Sequence, residues 1–343
     1  NNLAEKNGLK IEDANKIFDV SFERSPLGKK NIKAYRQLKE ILSTNNYSIV
    51  HCNTPMGGVI TRLAAKEARK KGTKVFYTAH GFHFYKGAPL KNWLIYYPIE
   101  KWLANYTDKL ITITKEDYKL ASRRFKTKVF HVHGVGANTN KYYPIELEQK
   151  RLLREKLGYQ EEQFLILCTG ELNRNKNQCT VIKAFSEVVK TNTNAKLILA
   201  GNGPKEHELQ GLVESLGLNR RVDFLGYRTE LNNFVNICDV VISASFREGL
   251  PLNIMEAMLC RKPVIASINR GHQELVVKDK SGYLIEPNDI QGFPASILTK
   301  IQYRNIRRSM GEFGNKIVQP FTLESVLDKL AKIYEVKFPN GRT

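Results

Sequence analysis

The segment Phe164–Ala200 reads FLILCTGELNRNKNQCTVIKAFSEVVKTNTNAKLILA. It opens on an unbroken apolar run, Phe164–Thr169, and closes on another, Lys196–Ala200, while Cys179–Lys190 between them carries apolar residues at helical spacing. A strand that is apolar at every position is covered on both faces, so strand, helix and strand make a parallel βαβ unit. The alternation recurs outward in both directions. Toward the C-terminus, Val222–Leu225, Val240–Ser243 and Pro263–Ala266 read as strands, with Lys205–Leu216 and Leu252–Leu259 as helices. Toward the N-terminus, Ser48–Cys52, Lys74–Thr78, Lys109–Ile113 and Lys128–Val132 read as strands, with Asn31–Leu42 and Gly58–Lys71 as helices. Two such arrays in series predict an α/β protein of two Rossmann-like, doubly wound domains. The chain, at 343 residues, is long enough for two cores.

The stretch 133–151, HGVGANTNKYYPIELEQKR, is rich in Gly, Asn and Pro and follows the last strand of the first array. The domains are therefore expected at 1–145 and 146–322. Thr322 suits the N-cap of a terminal helix over Leu323–Val336. The opening thirty residues contain no strong strand followed by a Gly-rich turn; Lys16–Phe22 is the earliest plausible strand. Either the opening βα unit of the first domain is missing, or that domain starts unusually.

Composition is that of a globular protein, 42% hydrophobic and 26% charged, with no apolar run near the ~18 residues that a spanning helix needs. The five cysteines have no metal-ligand spacing and read as reduced, small buried hydrophobes of a cytoplasmic chain. His131 and His133 form a metal pair only in outline, with no third ligand evident, so no metal is expected. The net charge is +20, and residues 1–150 hold 27 Lys+Arg against 13 Asp+Glu. That surplus attracts polyanions, whether an acidic membrane surface, phosphorylated substrates or nucleic acid. The segment Leu90–Tyr106, LKNWLIYYPIEKWLANY, fits two readings: an interfacial membrane helix, or a core-facing helix kinked at Pro98.

The densest chemistry lies in Ser245–Ala266, SFREGLPLNIMEAMLCRKPVIA. A helix starting near Leu252, with Pro251 in its first turn, puts Glu256 one turn inside it and Glu248 on the loop after the strand Val240–Ser243. Loops at the carboxyl ends of parallel strands are where open α/β sheets bind ligands. Gly249 permits close backbone approach, the free N–H groups of the helix face an anion, and a carboxylate can accept two ribose hydroxyls.

With its EGLP and EAM…KPVIA context, this segment resembles the E-x7-E signature of the retaining glycosyltransferases of family 4, which have the GT-B fold, two such domains facing across a cleft. The resemblance extends over nearly the whole chain. It includes Gly170–Asn177 (GELNRNKN), Gly201–Pro204 (GNGP), Phe224–Arg228 (FLGYR) and the HGVG…YYP connection. In the first half, His51–Gly58 (HCNTPMGG) and Thr78–Tyr85 (TAHGFHFY) resemble bacterial members that build capsules and exopolysaccharides.

The resemblance implies roles. Glu256 would hold the donor ribose, and Glu248 would lie beside the donor sugar with the Gly249–Leu250 backbone. Lys176 would neutralise the diphosphate, and His80 would reach the sugar from the first domain. Gly170, Gly203 and Tyr227 belong to the matching donor-site elements. The family often has Arg where this chain has Glu171, a place Arg174 can fill from the same loop. The resemblance also implies that 323–338 packs back on the first domain. The implied reaction moves a hexose from a UDP-sugar to a hydroxyl of a polyprenyl-diphosphate-linked saccharide, with retention, at the inner face of the cell membrane. No cofactor and no nucleic acid enter it, and no DxD motif occurs for a metal. Rival readings are a non-catalytic polyanion-binding protein and a GT-B nucleotide-sugar epimerase. His51 and His83 stay as polar groups near the site without a task.

Overall fold

The computed structural model describes residues 16–335 except 24 and 27. The described residues divide into two compact units, split between Val132 and His133. In the first, α1 (Lys30–Thr44) leads to β1 (Ile49–Asn53), α2 (Pro55–Ala64), α3 (Lys66–Lys70) and β2 (Lys74–Ala79). Then come α4 (Leu90–Leu103), β3 (Lys109–Thr112), α5 (Lys115–Arg124) and β4 (Lys128–His131). The four strands are parallel in the order β1-β2-β3-β4, so each crossover steps the same way. β2 is buried along its length after Lys74, as its unbroken apolar run requires. Arg62 of α2 is buried there. Its guanidinium lies 4.0 Å over the Tyr77 ring and pairs with Glu100 of α4 at 2.9 Å.

Lys16–Phe22 forms no strand. Its apolar alternation is real, but its polar groups turn to α1 and not to a ladder: Gln37 accepts from Ser21 N at 3.2 Å, and Asn31 accepts from Glu23 N just beyond it at 2.9 Å.

The second unit contains α6 (Leu147–Lys156), β5 (Phe164–Thr169), α7 (Gln178–Val189), β6 (Ala195–Ala200), α8 (Glu206–Ser215) and β7 (Val222–Gly226). It continues with α9 (Leu231–Ile237), β8 (Val240–Ser243), α10 (Leu252–Leu259), β9 (Val264–Ser267), α11 (Arg270–Leu275) and β10 (Gly282–Ile285). Helices α12 (Gly292–Gln302), α13 (Arg304–Val318) and α14 (Leu323–Tyr334) close it. Six parallel strands run β10-β9-β8-β5-β6-β7. The chain starts at the centre with β5, moves out through β6 and β7, then returns to build β8, β9 and β10 on the other side. The order reverses between β5 and β8. In an open parallel sheet that reversal splays neighbouring loops apart and leaves a crevice at the carboxyl ends. Apolar residues cover both faces: Leu165, Leu167 and Val241 on one, Ile166, Leu197 and Ile242 on the other.

The units divide between Val132 and His133, ahead of residue 145, because the stretch 133–146 pairs with the second unit. Ala137 N donates to Phe321 O at 2.9 Å, Leu323 N donates to Ala137 O at 2.8 Å, and Tyr142 is buried in the core of that unit. Thr322 caps α14, accepting from Ser325 N at 3.3 Å. Residues 336–338 lie outside the described residues. Pro251 stands at the N-cap of α10, one place before the first turn in which it was expected, with an extended ψ of 115°.

Candidate active site

The loops after β5 and β8 flank the reversal, and amide side chains hold them together. Phe246 N donates to Asn175 O at 2.8 Å, and Asn175 Nδ2 returns a bond to Arg247 O at 3.0 Å. Asn177, in the left-handed region at φ 55°, donates to Ala244 O at 3.2 Å and to Pro287 O at 2.9 Å. Asn253 ties the start of α10 to β5, donating to Thr169 O at 3.2 Å. Asn269 donates to Ser245 O at 2.9 Å.

This clamp brings Lys176 and Glu248 into contact although they stand 72 residues apart: Nζ lies 2.7 Å from Oε1. Both side chains are mostly shielded from solvent, so the pair is stronger than a surface one. Gly170 makes room for it. Its φ is +138°, and a Cβ there would stand 3.2 Å from Lys176 Cε. Gly203 serves the loop less directly, since a Cβ on it would come within 2.3 Å of Leu172 O. It lets the GNGP turn press on the backbone that carries Lys176. Beyond Glu248, the Gly249 carbonyl lies against Gly271 of α11, and Leu250 packs its side chain on the core.

Glu256 projects from α10 toward Tyr142 and Lys141. Burial pushes its carboxyl up to about 7, against the opposing pull of the Tyr142 hydroxyl, which donates to it, and the positive charge of Lys141. The neighbouring carboxylate in turn adds to burial in raising Tyr142. Lys141 Nζ also donates to Thr229 O at 2.7 Å, two residues past Tyr227. Tyr142 and Lys141 lie in the YYP stretch, which the sequence presents as a connection. Its paired tyrosines among Gly, Asn and Pro were the available signal.

His272 of α11 is a second residue that the sequence reading passed over. It is fully buried, with Nδ1 2.7 Å from Ser267 O. Burial lowers its pKa, while Ser267 and Glu248 raise it and Lys176 lowers it further. Arg174 is exposed on the Lys176 loop. Tyr227 stands 65% exposed after β7, the edge strand, two strands along the sheet from β5.

In the first unit, His80 follows β2, with its Nε2 3.2 Å from Asn53 Oδ1. His51 of β1 lies beside it, with Nε2 2.8 Å from Thr78 Oγ1. Burial of the ring holds His80 below the ordinary imidazole value, although part of its side chain reaches solvent. Burial and then repulsion from His80 do the same for His51. These groups share the carboxyl ends of adjacent parallel strands, the ligand-binding edge of such a sheet.

Two parallel α/β units in tandem, the second with the Lys176–Glu248 pair at the reversal of its sheet, fit the architecture of glycosyltransferases of the GT-B type. The comparisons agree. Residues 149–317 match the model described as glycosyl transferases group 1, and residues 3–114 match glycosyl transferase 4-like. EpsD of Bacillus subtilis (strain 168), a glycosyltransferase by assignment, is 41% identical over 334 residues, which cover 97% of this chain and 88% of EpsD. The UDP-Gal:alpha-D-GlcNAc-diphosphoundecaprenol alpha-1,3-galactosyltransferase of Escherichia coli is 27% identical over 311 residues, 89% of this chain and 79% of that enzyme. The crystal structure of Anabaena HepE with UDP and glucose superposes with a TM-score of 0.76 at 23% identity, covering 92% of this chain and 85% of HepE. The chain belongs to the group 1, family 4-like glycosyltransferases.

Proposed function

We propose that the chain transfers a hexose from a UDP-sugar to a hydroxyl of a polyprenyl-diphosphate-linked saccharide, with retained anomeric configuration, in the synthesis of a capsule or exopolysaccharide. The reaction takes place in the cytoplasm at the inner face of the membrane, without a divalent metal or further cofactor. The observation that carries this reading is the Lys176–Glu248 contact at the reversal of the second sheet, with Glu256 on the helix that follows. Departure of UDP concentrates negative charge on the diphosphate, and a fixed ammonium and helix amides aimed there lower the barrier. An arriving diphosphate takes Lys176 as its partner and releases the Glu248 carboxylate to accept sugar hydroxyls. Glu256 accepts the ribose hydroxyls, and His80 contacts the sugar. The E. coli relative, which by its name uses UDP-Gal and a diphosphoundecaprenol acceptor, supports this choice of substrates.

The test incubates the purified chain with a panel of UDP-sugars and a polyprenyl-diphosphate-linked saccharide. A UDP-releasing reaction that is unaffected by EDTA and gives a retained linkage by NMR is expected. Isomerised UDP-sugar without acceptor would assign an epimerase instead. Tight RNA retention with no thermal shift by UDP would favour the polyanion-binding reading, which rests on the basic first 150 residues.

A further inference from the structure

We propose that the solvent-facing side of α4 (Leu90–Leu103) is the surface that docks the first unit on an anionic lipid bilayer. This deepens the membrane-face reading above and rests on it for location alone.

The helix carries apolar residues on two sides, and the structure separates them. Inward, Trp93 and Tyr97 pack on Phe84, Leu103 is buried, and Glu100 is consumed by Arg62. Outward, Leu94 is 70% exposed, Ile95 53%, Ile99 41% and Trp102 48%, with Lys91 and Pro98 also exposed. Positions 91, 94, 95, 98, 99 and 102 follow the i, i+3, i+4, i+7, i+8 spacing of a single helical face. Here that stripe points at solvent, the reverse of a globular surface helix.

Its charge says what covers it. The exposed residues of α4 include Lys91 and Lys101 and no carboxylate, because Glu100 is its only acidic residue and is buried. Lys86 is exposed just ahead of the helix, and the Lys66 ammonium sits 5.2 Å over the Trp102 ring and 3.9 Å over the Tyr106 ring. A second copy is a poor occupant, since a two-fold contact would set each lysine against its like. Nucleic acid would neutralise the lysines but leave Leu94, Ile95 and Ile99 in water. A bilayer with anionic headgroups answers both: lysines meet phosphate, Trp102 sits at the headgroup level, and the aliphatic side chains enter the acyl boundary. A helix of this length lays about 20 Å of apolar contact along the membrane plane.

The chain has two tryptophans, one facing each way, and this makes the test direct. The full chain is mixed with vesicles of phosphatidylcholine alone, or of phosphatidylcholine and phosphatidylglycerol in equal parts. Sedimentation with the anionic vesicles only, and a blue shift of emission that Trp102→Phe abolishes, are expected. Leu94→Glu/Ile99→Glu should weaken vesicle binding at least ~10-fold, through lost apolar burial and added repulsion. The same variant should keep wild-type UDP affinity, which shows that it folds. Equal binding of wild type and variant, equal binding to neutral vesicles, or a concentration-dependent dimer that the variant abolishes would each overturn the proposal. A chain that docks but transfers no sugar would keep this surface and remove the enzymatic reading; turnover without docking would do the opposite.

Discussion

The two parallel sheets are built from the same kind of sequence and do different work. In the second unit the strand order turns back on itself, and the loops at that point are pinned by asparagine hydrogen bonds around the Lys176–Glu248 pair. In the first, the described strands run one way from β1 to β4, and the strand ends carry histidines whose protonation burial disfavours. The polarity of the outer surface differs too, with the exposed apolar stripe of α4 in the more basic half. Where charged side chains gather follows the topology of a sheet more than the composition of its strands.

The largest effect that would sharpen this contrast is structural and confined to the first unit. Arg62→Ala leaves Glu100 buried without its partner and should cost about 3–5 kcal/mol of that unit's stability. Denaturation should then show the first unit melting early while UDP still protects the second; a loss of both together would mean the units do not behave separately. Next comes Lys176→Ala, expected to lower kcat by about 10²–10³. It should weaken UDP far more than uridine, and equal weakening of the two would remove the diphosphate role.

Glu256→Ala should weaken UDP and uridine alike, by about 1.5–3 kcal/mol. Because burial raises this carboxyl to about 7, donor affinity should climb as pH rises through that value and level off above it. Linkage runs the other way for folding. The folded protein holds this proton to higher pH than the unfolded chain, so ionisation of Glu256 subtracts stability between the ordinary Glu value, 4.5, and about 7. Glu256→Gln should flatten both profiles. The smallest effect is that of Tyr142→Phe, about 0.5–1.5 kcal/mol on UDP affinity at neutral pH. Its clearer mark is a donor-binding profile displaced to higher pH, since the hydroxyl favours the ionised carboxyl; an unmoved profile would break the link between the YYP stretch and the site.

The strands were largely legible because doubly covered parallel strands are continuous apolar runs, and FLILCT and VVIS stand within their predicted bounds. β10 was not, because its Gly-Tyr-Leu-Ile is short, begins with glycine and is only partly buried at the sheet edge. Lys16–Phe22 misled for the converse reason: it has strand-like alternation, but helix side chains take its hydrogen bonds. At the site, Glu248 and Glu256 were singled out by their EGLP and EAM…KPVIA context, since the spacing of two glutamates alone is weak. Lys176 was named from its loop motif, but its contact with Glu248 was not, and Tyr142 was missed, because both pairings bring distant segments together through the fold. A buried histidine such as His272 leaves no pattern in a single sequence.

One feature of the clamp bears on how robust the site is. Asn175, Asn177, Asn253 and Asn269 all donate to backbone carbonyls. Carboxamides neither titrate nor respond much to ionic strength. The frame therefore keeps its shape as pH charges and discharges Glu256, so a change of solvent tunes that charge while the cradle around it stays put.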